Sequence, residues 1–486
     1  MFHSTTCKMF GGALEIADLS EEDQQHLVFC YFEMLPAVTR HILSCLDTKT
    51  MKQFLLLNKF FYNLVCNNSF HMQKLPLSIK PESTLTDIAQ FKRQYYEVNL
   101  MRYAEYSWSD FMETELRRLG GSVKKVFIGG VFIPFDMFLA MVSCFPLLSR
   151  LEVDFTIPGT PGDRLDSSKL SCLVHLKVRR AVLTPFMNVK NLKSFVYIPP
   201  IMDRTIYQEA EKFVRALGAM DSLALLCFGT FCLLWKQLPE KLQVKRLFLS
   251  SKNDPIIDFV LLFANHVTEV LSFNEEGSFL PIIQNFNRLT SLRVVFEAMS
   301  EEHKEVYSQS VNYNLKNLFL EHYNAKYPLT GLITIPKLFP NVENLWLCIR
   351  SEKIDNAEFD ALLNNLSHLK TLSLWVEHSS LLKEYRFKNI VKLRTYFDQQ
   401  NNIDWVQIAA DSPNLSDVYL NHRTDLEQLT KSVKNLETLA LDFRVFQSDL
   451  EILREHAKKL KTLKFFYFES PLEKEEHRVA VVFPEN

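Results

Sequence analysis

The chain has 486 residues, of which 47% are hydrophobic and 39 are phenylalanine, a composition that supports a large packed interior. Its formal net charge is only -2 at pH 7 and its pI is about 6.7, so we expect no surface dedicated to nucleic acid or to an anionic membrane. The nine cysteines are odd in number, scattered and free of C-x-x-C pairs, which is typical of buried, reduced thiols.

Residues 1–30 form an N-terminal extension that we expect to be flexible. Its first 25 residues lack a basic start and an apolar run, and they carry acidic residues such as Glu15 and Asp18. The sequence therefore predicts no secretory signal and a location in the cytoplasm, the nucleus or both.

Residues 31–70 contain three short apolar helical patterns that differ from the rest of the chain. Leu35-Pro36 opens the first pattern, Thr50 is placed to cap the second, and Asn58 precedes the third. Helices this short cannot bury all their apolar side chains among themselves, so the pattern indicates a partner surface. An alternative is an N-terminal cap that shields the first repeat from solvent.

This segment resembles an F-box, with the order L-P, I-L-x-x-L-D, a leucine-rich helix and a basic-aromatic end. Val38 stands where the family usually has glutamate, and the spacing from L-P to I-L is one residue short. The resemblance implies docking on a Skp-type adaptor, and through it on cullin and RING subunits. The implied adaptor-binding residues are Leu35, Pro36, Ile42, Leu43, Leu46, Met51, Phe54, Leu57, Phe61 and Leu64.

A phrase of the form L-x-x-L-x-L, with other apolar residues allowed at the leucine places, recurs about every 24 residues, the period of a leucine-rich repeat. Its clear copies begin at Val123, Leu148, Leu173, Leu192, Leu223, Val244, Val267, Leu289, Leu315, Val342, Leu369, Ile390, Leu415, Leu436 and Leu460, and weaker copies begin at Met72 and Tyr95. The copies at Leu192, Val267 and Ile390 are degenerate. We therefore expect repeats over 71–468, weak over 71–120.

The fourth and sixth residues of each phrase are expected to point into the core, and the third, fifth and seventh to the opposite face of a short strand. Helical spacing between phrases appears in Phe138, Met141, Val142 and Phe145, and again in Phe359, Leu362, Leu363 and Leu366. The predicted fold class is α/β: a leucine-rich-repeat solenoid with a curved parallel sheet and outer helices, preceded by a small three-helix segment.

Proline and asparagine stand in register with the phrase, where they are expected to end a helix and to form a turn. Prolines fall two residues before it at Pro146, Pro340 and Pro413, and asparagines directly before it at Asn191, Asn314, Asn341, Asn389, Asn414 and Asn435. Strings such as FPNVENLWL are similar to repeats in leucine-rich-repeat proteins that carry an F-box. That resemblance implies a substrate receptor of an SCF-type ubiquitin ligase, whose repeats hold the protein to be ubiquitinated.

The expected ligand surface is the concave face of the solenoid, where aromatic and basic side chains recur on neighbouring strands. Large aromatics with arginine are the mixture enriched at binding hot spots. The candidate substrate-binding residues are Arg293, Phe319, Trp346, Trp375, Lys392, Arg394, Tyr396 and Tyr419. Alternatively, these aromatics only stack across strands, or the segment 469–486, a tail or capping segment containing RVAVVF, covers them.

The sequence contains none of the common catalytic or phosphate-binding motifs that we sought, including H-E-x-x-H, G-x-S-x-G and the Walker loop. We therefore expect a non-enzymatic protein with no catalytic residues, no metal and no cofactor, and with neither nucleic acid nor membrane as a partner. The alternative to a ligase subunit is a repeat scaffold or ligand-binding protein without any ubiquitin link. The apolar stretch 126–148 is long enough to cross a membrane, but Pro134, Asp136 and Pro146 favour a strand, a helix and the next strand.

Overall fold

The computed structural model describes residues 76–79, 95–101, 110–156, 170–189, 191–199, 204–226, 235–250, 257–277, 280–296, 311–322, 332–349, 356–376, 388–397, 403–468 and 479–482. The F-box-like segment 31–70 and the extension 1–30 lie outside these residues. The chain divides into two compact units, one comprising Met1–Phe155 with Ser168–Cys172 and the other Thr156–Ser167 with Leu173–Asn486.

The first unit contains parallel strands and two helices. Its strands are β1 (Leu77–Ile79), β2 (Glu97–Met101), β3 (Lys125–Phe132) and β4 (Arg150–Thr156), and its helices are α1 (Asp110–Gly120) and α2 (Phe135–Ser143). β1 pairs with β2 and β2 with β3, both in parallel, and β4 lies next to β3. Gly120 allows the end of α1 to approach α2, because a Cβ atom there would lie 1.9 Å from the carbonyl oxygen of Cys144.

The second unit is a longer run of the same kind, in which every strand from β5 to β17 pairs in parallel with the next. These strands are β5 (His175–Arg179), β6 (Ser194–Ile198), β7 (Met220–Leu226), β8 (Val244–Ser250), β9 (Val267–Gly277), β10 (Ser291–Phe296), β11 (Asn317–His322), β12 (Asn344–Ile349), β13 (Thr371–Val376), β14 (Lys392–Phe397), β15 (Asp417–Leu420), β16 (Thr438–Val445) and β17 (Thr462–Phe468). β18 (Val479–Val482) pairs with β17 in the antiparallel direction.

Within the described residues, helices or 3₁₀ turns lie between many of these strands, and their lengths vary widely. They are α3 (Arg204–Ala216), α4 (Ile257–Leu261), α5 (Leu280–Asn285), α6 (Ile335–Leu338), α7 (Asn356–Asn365), α8 (Trp405–Asp411), α9 (Leu426–Ser432) and α10 (Gln447–His456), with 3₁₀ turns at Thr184–Phe186 and Leu332–Thr334. The predicted apolar helix faces are confirmed, since Phe138 and Met141 of α2 and Phe359 and Leu362 of α7 are buried. Consecutive helices α8, α9 and α10 pack side by side.

The repeated phrase forms the core of each unit, as predicted. In the copy at Leu315, the inward residues Leu318 and Leu320 are buried on one side of β11, while Phe319 lies between them on the other side. The same holds for Val126 and Ile128 in the first unit. The predicted fold class, a parallel-sheet solenoid of the leucine-rich-repeat type, is therefore confirmed within the described residues of each unit.

Two copies differ from the predicted register. The copy at Leu223 predicts Leu226 as an inward residue, but Leu223 and Leu225 are buried and Leu223 pairs with Leu247, so the phrase begins at Met220. Leucines stand on both faces of this strand, so the apolar pattern alone allows either register.

The degenerate copy at Val267 differs as well. The copy at Val267 predicts Val270 and Ser272 as inward residues, but Leu271 and Phe273 are buried in their place. The reason is a bulge, because the pairing of β8 with β9 shifts by one residue between Val244 and Arg246. A one-residue shift turns every following side chain to the other face.

Asparagines that precede the phrase do more than form turns. The side-chain amide of Asn341 donates to the carbonyl oxygen of Tyr313 at 2.8 Å, and that of Asn435 donates to Pro413 at the same distance. Each bond joins a repeat to the preceding one at an equivalent position. Asn389 has a φ of 61°, in the left-handed region that asparagine tolerates, so a turn is confirmed there.

Two further expectations concern cysteines and the membrane. Cys144 and Cys348 are buried, and burial raises the pKa of the Cys144 thiol to about 12, but Cys172 is exposed, which corrects the expectation of uniformly buried thiols. The apolar stretch 126–148 divides into β3, α2 and the start of the next repeat. Among the helices that the structure describes, none combines the length and the apolarity needed to cross a membrane.

Candidate functional site

The candidate residues lie on β10 to β15, on the face of the sheet opposite Leu292, Leu318 and Leu345. We call this face the groove face. Strand pairing arranges its side chains in three rows across the sheet. In the direction of the strands, the first row is Ser291, Asn317, Asn344, Thr371, Lys392 and Asp417; the second is Arg293, Phe319, Trp346, Ser373, Arg394 and Tyr419; and the third is Val295, Glu321, Cys348, Trp375 and Tyr396.

Arg293 is held at the β10 end of the second row by two neighbours. Its Nε donates to Oε1 of Glu321 at 2.6 Å, and its guanidinium carbon lies 5.9 Å from the ring centroid of Trp346. Phe319 lies between them in the row, with its ring centroid 6.2 Å from that of Trp346. The carboxylate of Glu321 is buried, so it fixes a cation whose own side chain is 54% exposed.

Three aromatic rings stack at the other end of the groove face. The ring centroids of Trp375 and Tyr396 are 5.8 Å apart with nearly parallel planes, and those of Tyr396 and Tyr419 are 4.8 Å apart. The hydroxyl of Tyr419 donates to Oδ2 of Asp442 at 2.7 Å. Burial, together with this acidic neighbour, raises the pKa of the Tyr419 phenol. The stacking limits the number of positions that each ring can adopt.

A groove of about 670 Å³ opens on this face over β11 to β14. Its lining residues are Asn317, Phe319, Asn344, Leu345, Trp346, Lys370, Thr371, Ser373, Val391, Lys392, Arg394 and Tyr396. The lining is therefore aromatic at its centre and polar along the first row. A volume of this size lies within the range of cavities that hold ligands or short peptide segments.

The three cations of the groove lining differ in their partners. Lys370 donates to Glu343 at 2.8 Å, and Glu343 also pairs with Lys316 at 3.1 Å. Lys392 lies 3.5 Å from Oδ2 of Asp417. Arg394 is exposed and has no carboxylate partner within the part of the chain that the structure describes.

The structure brings together five of the eight predicted residues in this groove: Phe319, Trp346, Lys392, Arg394 and Tyr396. Arg293 lines a neighbouring pocket of about 470 Å³ with Val295 and Glu321. Trp375 and Tyr419 are outside the groove lining, but Trp375 stacks on Tyr396 and the Tyr419 ring lies tilted against it. The stacking interpretation is confirmed for Trp375 and Tyr396, whereas substrate binding by these residues stays a prediction.

Sequence reasoning identified Lys392 in the first row of the groove but missed the other polar residues of that row. Asn344 donates to Oδ1 of Asn317 at 2.7 Å, and Thr371 continues the row beside it. The third position of each phrase was a signal that could have identified them, since it shares a face with the fifth and seventh positions. The implied adaptor-binding residues, from Leu35 to Leu64, lie outside the described residues.

The burial of this face also differs from expectation. Glu321, Cys348 and Ser373 are all buried, although their positions in the phrase predicted a surface location. By contrast, Arg293, Lys392 and Arg394 are exposed. The open part of the groove face is therefore its basic and aromatic part.

No protein-family model and no curated protein matches the sequence. Among solved structures, the Rad7–Elc1 complex of yeast matches at 12% identity, covering 73% of this chain and 79% of that chain with a TM-score of 0.32. The Toll–Spatzle complex of Drosophila matches at 12% identity over 81% of this chain and 55% of that chain, with a TM-score of 0.37.

A third match is the complex of TLR13 with ssRNA13, at 12% identity over 82% of this chain and 58% of that chain, with a TM-score of 0.30. The chain thus spans just over half the length of the Toll and TLR13 chains that it matches. At this level of identity and superposition, none of the three indicates what this chain binds. The strand pairing described above establishes the repeat fold independently of them.

Proposed function

We propose that this chain is the substrate-recognition subunit of a cullin-RING ubiquitin ligase of the SCF type. In this proposal the F-box-like segment docks on a Skp-type adaptor, and the groove face holds the protein to be ubiquitinated. The chain itself forms and breaks no bonds, and it acts in the cytoplasm, the nucleus or both. The observation that carries the recognition role is the groove over β11 to β14, with its aromatic centre and its exposed Arg394.

The composition of the groove supports protein recognition. Tryptophan, tyrosine and arginine supply most of the binding energy at protein interfaces, because they combine a large apolar area with directed polar groups. Here such residues stand on neighbouring strands of one sheet. Contact with the Phe319 ring restrains Trp346, and stacking on Trp375 restrains Tyr396, before any partner binds. A surface that is already ordered loses less conformational entropy on binding.

The ubiquitin link is supported by the sequence ahead of the repeats. The elements L-P, L-D and K-x-F occur in F-box order within 34–66, directly before a leucine-rich-repeat array. A simple cap requires amphipathic helices but not this order. The proposal therefore assigns two separable roles to two parts of the chain.

Adaptor binding tests the ligase role. The full chain is co-expressed with a Skp-type adaptor, and co-elution is compared with that of Leu46→Asp/Phe54→Asp, which places two charges in the proposed apolar interface. We expect the wild type to co-elute in a stable complex and the double variant to lose at least tenfold in affinity, since buried unpaired charges cost several kcal/mol. Equal thermal unfolding midpoints of the two proteins show that the repeats remain intact.

Arg394→Glu is the matched control, because it changes a charge on the groove face and should leave adaptor binding unchanged. If the wild type binds the adaptor no better than the double variant, the ligase role is wrong. A partner that is then captured on the groove face without any adaptor supports the alternative, a repeat scaffold with the N-terminal helices as a cap.

A further inference from the structure

We propose that the groove binds an acidic segment of its partner, with a carboxylate or phosphate group on Arg394 and an apolar side chain against Trp346. This inference rests on the proposed role in holding a protein substrate, and it names the chemistry of the bound segment. The occupant is a peptide in extended form, because the lining residues run across four neighbouring strands.

The charge of the lining selects an anion. Lys370, Lys392 and Arg394 line the groove, and its lining includes no aspartate or glutamate. Glu343 and Asp417 offset the two lysines from positions at the margin. Arg394 has no such offset among the described residues, which leaves one uncompensated guanidinium in a chain whose overall charge is negative.

Arg394 also stands where its donors can reach a ligand. It is exposed between Ser373 and Tyr419 in the second row, and both neighbours are at least partly buried and therefore fixed in position. A guanidinium can donate two parallel hydrogen bonds to a carboxylate or a phosphate. The hydroxyl of Thr371 and the amide of Asn344 in the adjacent row are placed to bond the backbone of the same segment.

The distances across the sheet set the length of the segment. Neighbouring strands lie about 4.8 Å apart, so Arg394 on β14 and Trp346 on β12 are separated by about 10 Å. A peptide in the polyproline II form rises about 3.1 Å per residue and completes a turn every three residues, so an anionic and an apolar side chain about three residues apart span this distance on the same side. The four strands of the groove accommodate about four or five residues.

A single-stranded nucleic acid could also use stacked aromatics and an arginine, but the charge distribution argues against it. Binding along a polynucleotide backbone requires many lysines or arginines that each neutralise a phosphate. In this groove two of the three cations already have carboxylate partners, and the chain has a pI of about 6.7. One open guanidinium fits one anionic side chain.

The test is selection from peptide libraries on the immobilised full chain. Each library holds nine-residue peptides that are random except for a central glutamate, phosphoserine, glutamine or lysine. We expect the glutamate or the phosphoserine library to be retained about tenfold more than the glutamine library, as a charge-assisted hydrogen bond implies. Comparing retention of the glutamate library with that of the phosphoserine library distinguishes a carboxylate from a phosphate as the recognised group.

Charge reversal separates recognition from folding. The Arg394→Glu variant should no longer retain acidic peptides and should instead retain the lysine library. An unfolded variant cannot produce this switch. Arg288→Glu is the matched control, because Arg288 is also an exposed arginine but lies on a turn outside the groove lining, and it should behave as the wild type. A fluorescein-labelled single-stranded RNA of random sequence is measured in parallel.

The inference is wrong if peptides are retained equally whatever their central residue, or if Arg394→Glu still retains the acidic peptides. It is also wrong if RNA binds more tightly than the peptides and Arg394→Glu abolishes that RNA binding. Adaptor binding distinguishes this failure from failure of the proposed function. If the chain retains acidic peptides but does not bind the adaptor, the inference is supported and the ligase role is wrong. If the chain binds the adaptor but does not prefer acidic peptides, the ligase role is supported and the inference is wrong.

Discussion

Adjacent residues in each repeat have opposite environments. Leu318 is fully buried among the inward leucines of neighbouring strands. Asn317, one position earlier, is partly exposed and donates to the carbonyl oxygen of Thr290 at 3.4 Å. This alternation makes one face of β11 a core and the other a surface for recognition. The same substitution at the two positions should therefore have very different effects.

Leu318→Asp tests this register at the residue scale. Burying the leucine contributes about 1.5–3 kcal/mol, and an unpaired carboxylate in its place adds a desolvation cost of several kcal/mol. We expect loss of the cooperative unfolding transition, followed by circular dichroism in a urea titration. Asn317→Asp is the control and should change the free energy of unfolding by less than about 1 kcal/mol. A cooperative transition retained in Leu318→Asp would contradict the register.

The eight candidate residues could be predicted from the sequence because each occupies a fixed position in the phrase. Register then placed Trp346 beside Phe319, and Tyr396 beside Trp375, without any knowledge of the structure. The burial of Cys348 and Ser373 could not be predicted, because alternation tells only which side of a strand a residue faces, and not what packs above it. The open groove is thus smaller than the predicted face.

At the scale of the element, ion pairs connect neighbouring repeats along one margin of the sheet. The second residue of the phrase alternates in charge over three successive repeats, where Glu343 pairs with both Lys316 and Lys370. Lys245 pairs with Asp221 at the equivalent position of two other repeats. Hydrogen bonds from Lys370 and Lys316 lower the pKa of Glu343 to about 2. These side chains are exposed, so their contribution depends on salt and pH.

Glu343→Gln should show this dependence on pH. The folded-state pKa lies below the ordinary value of 4.5, so the stabilisation by the carboxylate is fully present above about pH 4.5 and is lost as the pH falls toward 2. We expect the urea midpoint of the variant to lie below that of the wild type at pH 7, and the gap to narrow between pH 5 and pH 3. High salt should narrow it as well.

Glu240→Gln provides the comparison, because Glu240 is an exposed glutamate outside this row of ion pairs. Its midpoint should follow that of the wild type at every pH. A gap for Glu343→Gln that is constant from pH 7 to pH 3 would show that the loss is not electrostatic.

The elements themselves could be predicted to different extents. Degenerate copies such as those at Leu192 and Ile390 still form β6 and β14, because neighbouring repeats supply the backbone partners. The bulge in β9 could not be predicted, since Val270 and Leu271 are both apolar and either could face inward. Helix lengths were also beyond the sequence, because a packed repeat accepts a 3₁₀ turn or a full helix as its outer side.

At the scale of the whole molecule, a parallel solenoid must protect the backbone of its edge strands. β17 (Thr462–Phe468) pairs with β16 on one side and with β18 (Val479–Val482) on the other. An unpaired strand edge is a template for pairing with another chain. We therefore attribute to β18 a role against self-association, in addition to its contribution to stability.

Ala480→Pro/Val481→Pro tests this role. Alternate residues of an antiparallel strand direct their amides to the partner, so one of these two adjacent positions must lose a ladder hydrogen bond. We expect a lower unfolding midpoint and a hydrodynamic radius that rises with protein concentration, measured by light scattering. Ala480→Thr/Val481→Thr keeps both amides and favours the strand, so it should remain like the wild type. If the proline variant keeps the size and the midpoint of the wild type at all concentrations, the edge of β17 does not depend on β18 for protection.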